Sequence, residues 1–438
     1  MLPRRPLLAA RWAYVAVVAL ATLTDLHFSG DLTATGQRLL RAFEPSLGWR
    51  DAIDGLRNVA LFAGLGAVWV LTSPTGQVKR EMRRATLVGL ALSATVEGAQ
   101  VFSAVRTASI VDVTTNTVGA FLGAAAIALL IFEAQRARGA RSYLGVPAAL
   151  AAVSYGLAVL CEMMAPLFQS VPTYVEGGPL ASLRAMLAHA TLAPGAEQIY
   201  DAVLFPPAGF LAVMALAERG RSAERSWLPV AAAGATATVV LELAHGLYRL
   251  PISWGACALD AAAVVLGTWA AARWLAPLSR TLRGAERARA ALLVYVGLLV
   301  FWAWRPFFPV TDLHAIAGQL TLEHLIPLQA LSGRADVFSA VHVAQQCVLY
   351  IPLGALLAVW PLRLAGRWGH LWPALWLALA LEAGHVLIDG RFLDVTNALL
   401  ACAGLAIGWL AVRRAGYQPY GAAWPARAVA AGGPSRQV

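Results

Sequence analysis

Charge is scarce in this sequence. Only 13% of its 438 residues are Asp, Glu, Lys or Arg, against about one quarter in a soluble globular domain, so a water-soluble domain is excluded as the main architecture. Strand-like dyad alternation is absent, which argues against a transmembrane barrel. The four cysteines, Cys161, Cys257, Cys347 and Cys402, fall inside apolar runs without C-x-x-C spacing, so neither a disulfide framework nor a zinc ribbon is expected. No P-loop, G-x-S-x-G or Rossmann glycine pattern occurs. The formal charge of +10 comes without an aromatic-interleaved basic face, which removes nucleic acid as a partner.

Apolar length is what the chain has instead. Hydrophobic residues make up 59% and mean hydropathy is +0.64. Runs such as "LFAGLGAVWVLTS", "YLGVPAALAAVSYGLAVLC" and "ALLVYVGLLVFWAW" reach or approach the ~20 residues that cross hydrocarbon as a helix. The N-terminal "MLPRRPLLAARWAYVAVVALATLTDLHF" lacks a well-placed small-x-small cleavage site and reads as a first retained helix. Residues 416–438, rich in Ala, Gly and Pro, read as a disordered tail.

One unit recurs three times. "NVALFAGLG" (58–66), "DAVLFPPAG" (201–209) and "QCVLYIPLG" (346–354) share a polar residue, Leu, an aromatic and a Gly, the glycines lying 143 and 145 positions apart. Downstream of each comes an apolar segment with one glutamate: "EGAQ" at 97, "ELAH" at 242 and "EAGH" at 382. Residues 97–123 and 382–408 align without a gap, matching Glu97 to Glu382, Arg106 to Arg391, Gly119 to Gly404 and Gly123 to Gly408. The middle copy needs one deletion, which sets Asp260 opposite Asn116. The fold class expected is all-α: a polytopic transmembrane bundle of about twelve helices in three parallel four-helix repeats. The repeats span 1–140, 141–285 and 286–415. Expected spans are 11–27, 57–73, 85–102, 114–133, 145–165, 199–217, 228–247, 257–275, 290–308, 344–361, 370–388 and 395–413.

Loop charge sets the expected orientation. The loops after the second, fourth, sixth, eighth and tenth spans carry clusters such as Lys79/Arg80/Arg83/Arg84 and Arg280/Arg283/Arg287/Arg289, and both termini are basic. Loops after the third, seventh and eleventh hold one arginine each. By the positive-inside rule both termini are cytoplasmic. The first outer loop, with Arg38, Arg41 and Arg50, is the exception.

Lipid-facing sequence should avoid Glu97, Gln100, Arg106, Asp112 and Asn116, yet one short segment holds them all. Glu97 and Gln100 share a helix face, Arg106 lies in the connection, and Asp112 is placed to cap the next helix. Gly119 and Gly123 have the small-xxx-small spacing of close helix contacts. Two readings stay open: a polar lock that fixes each hairpin, or a working site at the membrane. The E-x-x-H at Glu242/His245 and Glu382/His385 has metal-ligand spacing, but Gln100 replaces the His in the first copy and no second ligand cluster is evident. No metal and no cofactor are expected.

These residues carry a resemblance. A polar residue before "LF-x-PLG"-like sequence, then E-x-x-Q and R, D, N, G and G across a loop and helix, is similar to the VanZ-like membrane family. The likeness covers about 10–135 and 290–412, with 145–276 a degenerate copy. It implies a protein of the bacterial envelope, with a link to glycopeptide resistance. The function expected is recognition of an anionic, lipid-linked envelope component, such as a cell-wall precursor, at the outer leaflet. Binding residues expected are Asn58, Glu97, Gln100, Arg106, Asp112, Asn116, Gln346, Glu382, His385, Arg391, Asp394 and Asn397. The arginines would hold phosphate, with the glutamates orienting them. A membrane enzyme using Glu97 or Asp112 as general base, and a transporter, are the alternatives.

Overall fold

In a computed structural model the described residues are 4–23, 32–43, 49–73, 77–103, 108–136, 142–144, 146–169, 178–247, 250–281, 285–305, 307–310, 312, 316, 319, 325–326, 337–359, 372–388 and 391–416. Among them helices joined by turns and short irregular segments make up the chain, with isolated bridges and no strand. Helices satisfy every main-chain N–H and C=O locally, which a segment in hydrocarbon requires.

The chain divides into two compact units. Unit one comprises 1–132 with 335–340. It contains α1 (Arg4–Leu23), α2 (Leu32–Arg41), α3 (Trp49–Leu71), α4 (Val78–Gln100) and most of α5 (Ile110–Arg136). Its core is Val18, Phe62, Leu65 and Ala120, with Tyr14, Leu61 and Leu92 against it. Unit two holds α6 (Ala148–Gln169), α7 (Gly178–Ala188), α8 (Ala196–Ala202), α9 (Phe205–Glu218), α10 (Ala223–Leu247) and α11 (Trp254–Thr281). It continues with α12 (Ala285–Trp304), α13 (Val337–Val359), α14 (Trp372–His385) and α15 (Val395–Ala415).

Each expected span overlaps a helix. Eight helical stretches among the described residues are long and apolar enough to cross a membrane. Helix α3 begins with Arg50, Asp51, Asp54 and Arg57, and α4 with Lys79, Arg80, Glu81, Arg83 and Arg84. The stretch over expected span 199–217 is one of the eight, and it breaks between α8 and α9, where Pro206 and Pro207 lack the N–H groups that a continuous helix needs. Of the expected tail, Gly416 alone is described; it closes α15 in the left-handed conformation, φ 60°.

Leu87, Leu90, Phe121, Leu129, Val240, Leu266, Leu293 and Trp376 are exposed, whereas Ser93 and Thr268 are fully buried. Apolar outside and small or polar inside is the distribution that a hydrocarbon solvent favours, because polar groups then find partners within the bundle.

Two contacts recur at the aligned positions. The phenol of Tyr14 donates to Leu61 O, that of Tyr155 to Leu204 O and that of Tyr295 to Leu349 O. Each acceptor is the leucine of the "polar-x-x-Leu-aromatic" motif. The motif glycines lie against main chain: a Cβ on Gly66 would sit 2.0 Å from Ala120 O, on Gly209 2.7 Å from Val264 O, and on Gly354 2.1 Å from Leu405 O. The approach is reciprocal. A Cβ on Gly123 would fall 1.8 Å from Ala63 O, on Gly267 2.0 Å from Pro206 O, and on Gly408 2.0 Å from Ile351 O.

Gly123→Ala therefore forces α3 and α5 apart. An overpacking cost of about 1–3 kcal/mol is expected, read as a lower midpoint in detergent-extracted thermal unfolding. Gly98→Ala, with nothing within 4 Å, should leave the midpoint unchanged or raise it, since Ala is the better helix former. Equal midpoints for the two variants would refute the close-packing account.

Candidate functional site

The polar residues of unit one bind each other. Glu97, at the end of α4, accepts the Ser109 N–H at 2.9 Å, and Gln100 donates to Thr22 O at 3.3 Å. Asn58 on α3 donates to Asp112 on α5 at 2.8 Å. Asn116 donates to Ser93 Oγ at 2.9 Å, while its buried Oδ1 has no hydrogen-bond partner among the described residues. The expected cap is displaced by three residues. Ser109 Oγ accepts the Val111 N–H at 3.1 Å, and Asp112 lies within the first turn of α5 instead. Arg106 lies outside the described residues.

The same wiring appears in unit two. Glu242 accepts the Ser253 N–H, as Glu97 accepts that of Ser109. His245 sits where Gln100 does, and its Nε2 meets Met163 O at 3.0 Å while Nδ1 lies 3.4 Å from Glu242. His385 repeats this, with Nε2 3.0 Å from Ala303 O and Nδ1 3.2 Å from Glu382. Thr22, Met163 and Ala303 each lie eight residues after the tyrosine that braces its own set of helices. Gln100, His245 and His385 are thus struts that tie the glutamate-bearing helix to the end of the first helix. Both ring nitrogens of His385 are engaged within the protein, and no group of three or more His, Cys, Asp or Glu positioned for a metal occurs among the described residues.

The remaining expected residues divide. Asp394 caps α15 by accepting the Thr396 N–H at 2.7 Å. Asn397 bridges His342 (2.8 Å) and Glu382 (3.5 Å). Gln346 is half-buried, and its neighbour Gln345 is the residue that enters a polar cluster.

Apart from Arg391, the members of that cluster were not singled out in the sequence. Arg305, directly after α12, is 5% exposed and donates to Glu162 on α6. Its Nε lies 3.4 Å from Asp201 on α8. Gln345 on α13 donates to the other oxygen of Glu162. Arg391, in the connection before α15, donates to Arg305 O at 3.2 Å. Two guanidinium groups, two carboxylates and one carboxamide from five chain segments thus meet at one end of unit two. The arrangement is not fully satisfied: Arg305 Nη1 is buried and has no acceptor among the described residues. Burial, then the neighbouring Arg305 charge, lowers the Arg391 pKa from its ordinary value. The signal was present in the sequence, since two of the quoted apolar runs stop at Glu162 and Arg305, and Asp201 opens the second motif.

Comparison with known proteins gives one match. Residues 11–132 match the family model described as VanZ/LLP1. No curated protein and no solved structure matches the chain.

The strut assignment separates His385 from a metal role. His385→Gln should keep the wild-type thermal midpoint, because Gln100 makes the equivalent bond. His385→Ala leaves the Ala303 carbonyl and Glu382 without it, at about 1–3 kcal/mol. Equal loss in both variants would mean that the imidazole does something an amide cannot.

Proposed function

We propose that this chain, a membrane protein with a VanZ-like domain at residues 11–132, binds an anionic, lipid-linked envelope component through phosphate. Binding takes place at the outer face of the bacterial inner membrane. One observation carries the reading: Arg391 donates to the Arg305 carbonyl, and a buried N–H of Arg305 has no acceptor among the described residues. Two adjacent guanidinium groups repel each other until an anion lies between them, and a planar donor fork suits phosphate oxygens. Glu162 and Asp201 hold Arg305 in place, so the ligand is met chiefly by Arg391 and the remaining Arg305 donor. Most residues expected from the sequence to bind ligand act here as the frame around that pair, and Arg391 keeps its expected role.

The three aligned sets of helices are proposed to descend from one VanZ-like unit, with the anion site arising where the second and third meet. Cytoplasmic termini and an outward-facing Arg391 follow from the loop charges. A contribution to glycopeptide resistance would follow if the bound component is a cell-wall precursor.

The probe is short-chain phosphatidylglycerol, with phosphatidylcholine of the same chain length as control, added to purified full-length protein. The anionic lipid should raise the thermal midpoint; saturation at 100 times Kd corresponds to about 2.7 kcal/mol. Arg391→Gln should reduce that rise with little change in the midpoint without lipid, and Arg391→Lys should restore only part of the difference. A wild-type protein that responds equally to both lipids would end the phosphate reading.

Orientation has its own check, in a background without the native cysteines. Leu192 is 82% exposed, so Leu192→Cys should react with an impermeant maleimide in intact spheroplasts. Arg221→Cys, on the basic loop after α9, should react only after permeabilisation. The reverse pattern would put Arg391 on the cytoplasmic side.

A further inference from the structure

Away from the charged cluster, unit two contains a cavity of about 460 Å³ between α6, α9, α11, α12 and α13. It exists because small residues stand where these helices converge. Gly267, Ala270 and Ala291 contribute wall without filling space, and Pro206 and Pro352 cannot donate main-chain N–H groups into it. No wall residue is charged. Of the two with a polar side-chain atom, Tyr295 has its hydroxyl committed to Leu349 O, and Trp274 lies half-exposed at the rim. Water has almost nothing to bond here, and apolar cavities of this kind stay dry and accept hydrocarbon.

The volume equals roughly 15 times the share of one water in the liquid, room for much of one lipid chain but not for a headgroup. Leu266 and Val294 on the wall are 55% and 65% exposed, so the cavity opens sideways onto the apolar surface that faces lipid. Its far boundary is set by aromatic packing. Tyr295 stacks edge-on with Tyr155 (6.5 Å), Tyr155 with Trp302 (5.9 Å), and Arg305 lies over Trp302 (5.3 Å). This layer, with Tyr155 fully buried, separates the cavity from the charged cluster. At the opposite end the wall is closed by Leu144 and Val146. There Arg287 donates to Ser142 O at 3.2 Å, Arg219 pairs with Glu133 at 2.8 Å, and the Glu218 carboxyl accepts the Tyr143 and Ala148 N–H groups at 2.9 and 2.7 Å. Arg287 therefore stands at the end where a headgroup would remain in water.

We infer that this cavity is a binding site for one acyl chain of an anionic glycerophospholipid, whose phosphate faces Arg287. The inference rests on membrane placement of unit two and not on the phosphate site at Arg391, from which the aromatic layer divides it.

Purified full-length protein in phosphatidylcholine nanodiscs would be irradiated with phosphatidylglycerol carrying a diazirine near the end of one acyl chain. Adducts would then be mapped by mass spectrometry. Adducts should concentrate on Met214, Leu211 and Leu298 of the cavity wall. Ala291→Phe, or Ala270→Leu if the first accumulates poorly, fills the space. Either should reduce those adducts about tenfold, the equivalent of about 1.4 kcal/mol, while Arg391→Gln leaves them unchanged. Adducts spread over exposed Leu293 and Val240 instead of the cavity, or persisting in the filled variants, would overturn the chain site. Equal labelling by a phosphatidylcholine probe with the same chain would overturn the anionic headgroup.

Discussion

Three helix pairs rest on main chain touching main chain. Where α3 crosses α5, α9 crosses α11 and α13 crosses α15, a glycine on one lies directly against a carbonyl of the other, and the partner returns the contact about one turn along: Gly66 with Gly123, Gly209 with Gly267, Gly354 with Gly408. Water-driven burial contributes little between helices already dissolved in hydrocarbon, so close van der Waals contact has to supply the association. That closeness brings the polar rungs into reach. Asn58 can meet Asp112, and Asn397 can meet His342, only because their helices approach at glycine distance.

A second constraint follows from the shortage of water inside. Main-chain carbonyls take a side-chain donor from a fixed register: a tyrosine hydroxyl for the motif leucine, an amide or imidazole for the carbonyl eight residues after that tyrosine. A glutamate of the same helix receives the main-chain N–H of the following loop in unit one and again at Ser253. The alternation of Gln and His at the strut position follows directly, since each carries a nitrogen that can reach the same acceptor. What looked in the sequence like a metal-ligand pair is a brace with two interchangeable chemistries.

Much of the frame was legible because it is local. Apolar runs bounded by arginines mark helices. Evenly spaced glycines mark crossings, and a glutamate in an otherwise apolar segment marks a point of polar contact. Two things were hidden. The cap of α5 fell on Ser109 instead of Asp112, a shift decided by loop geometry that spacing does not encode. The charged cluster escaped because its members come from five separate segments. Glu162 and Arg305 each looked like the ordinary polar end of a span, and only the packing of α6 beside α12 turns two ends into a pair.

That pair also has a history within every molecule. Arg305 follows Glu162 by 143 residues and Gln345 follows it by 183. At about 5–20 residues per second, the ribosome delivers the carboxylate roughly 7–30 seconds before its cation. During that interval α6 to α11 stand in the membrane with an acid at a site built for an ion pair. The carboxylate of Glu162 meets its guanidinium partner only when Arg305 arrives at the end of α12.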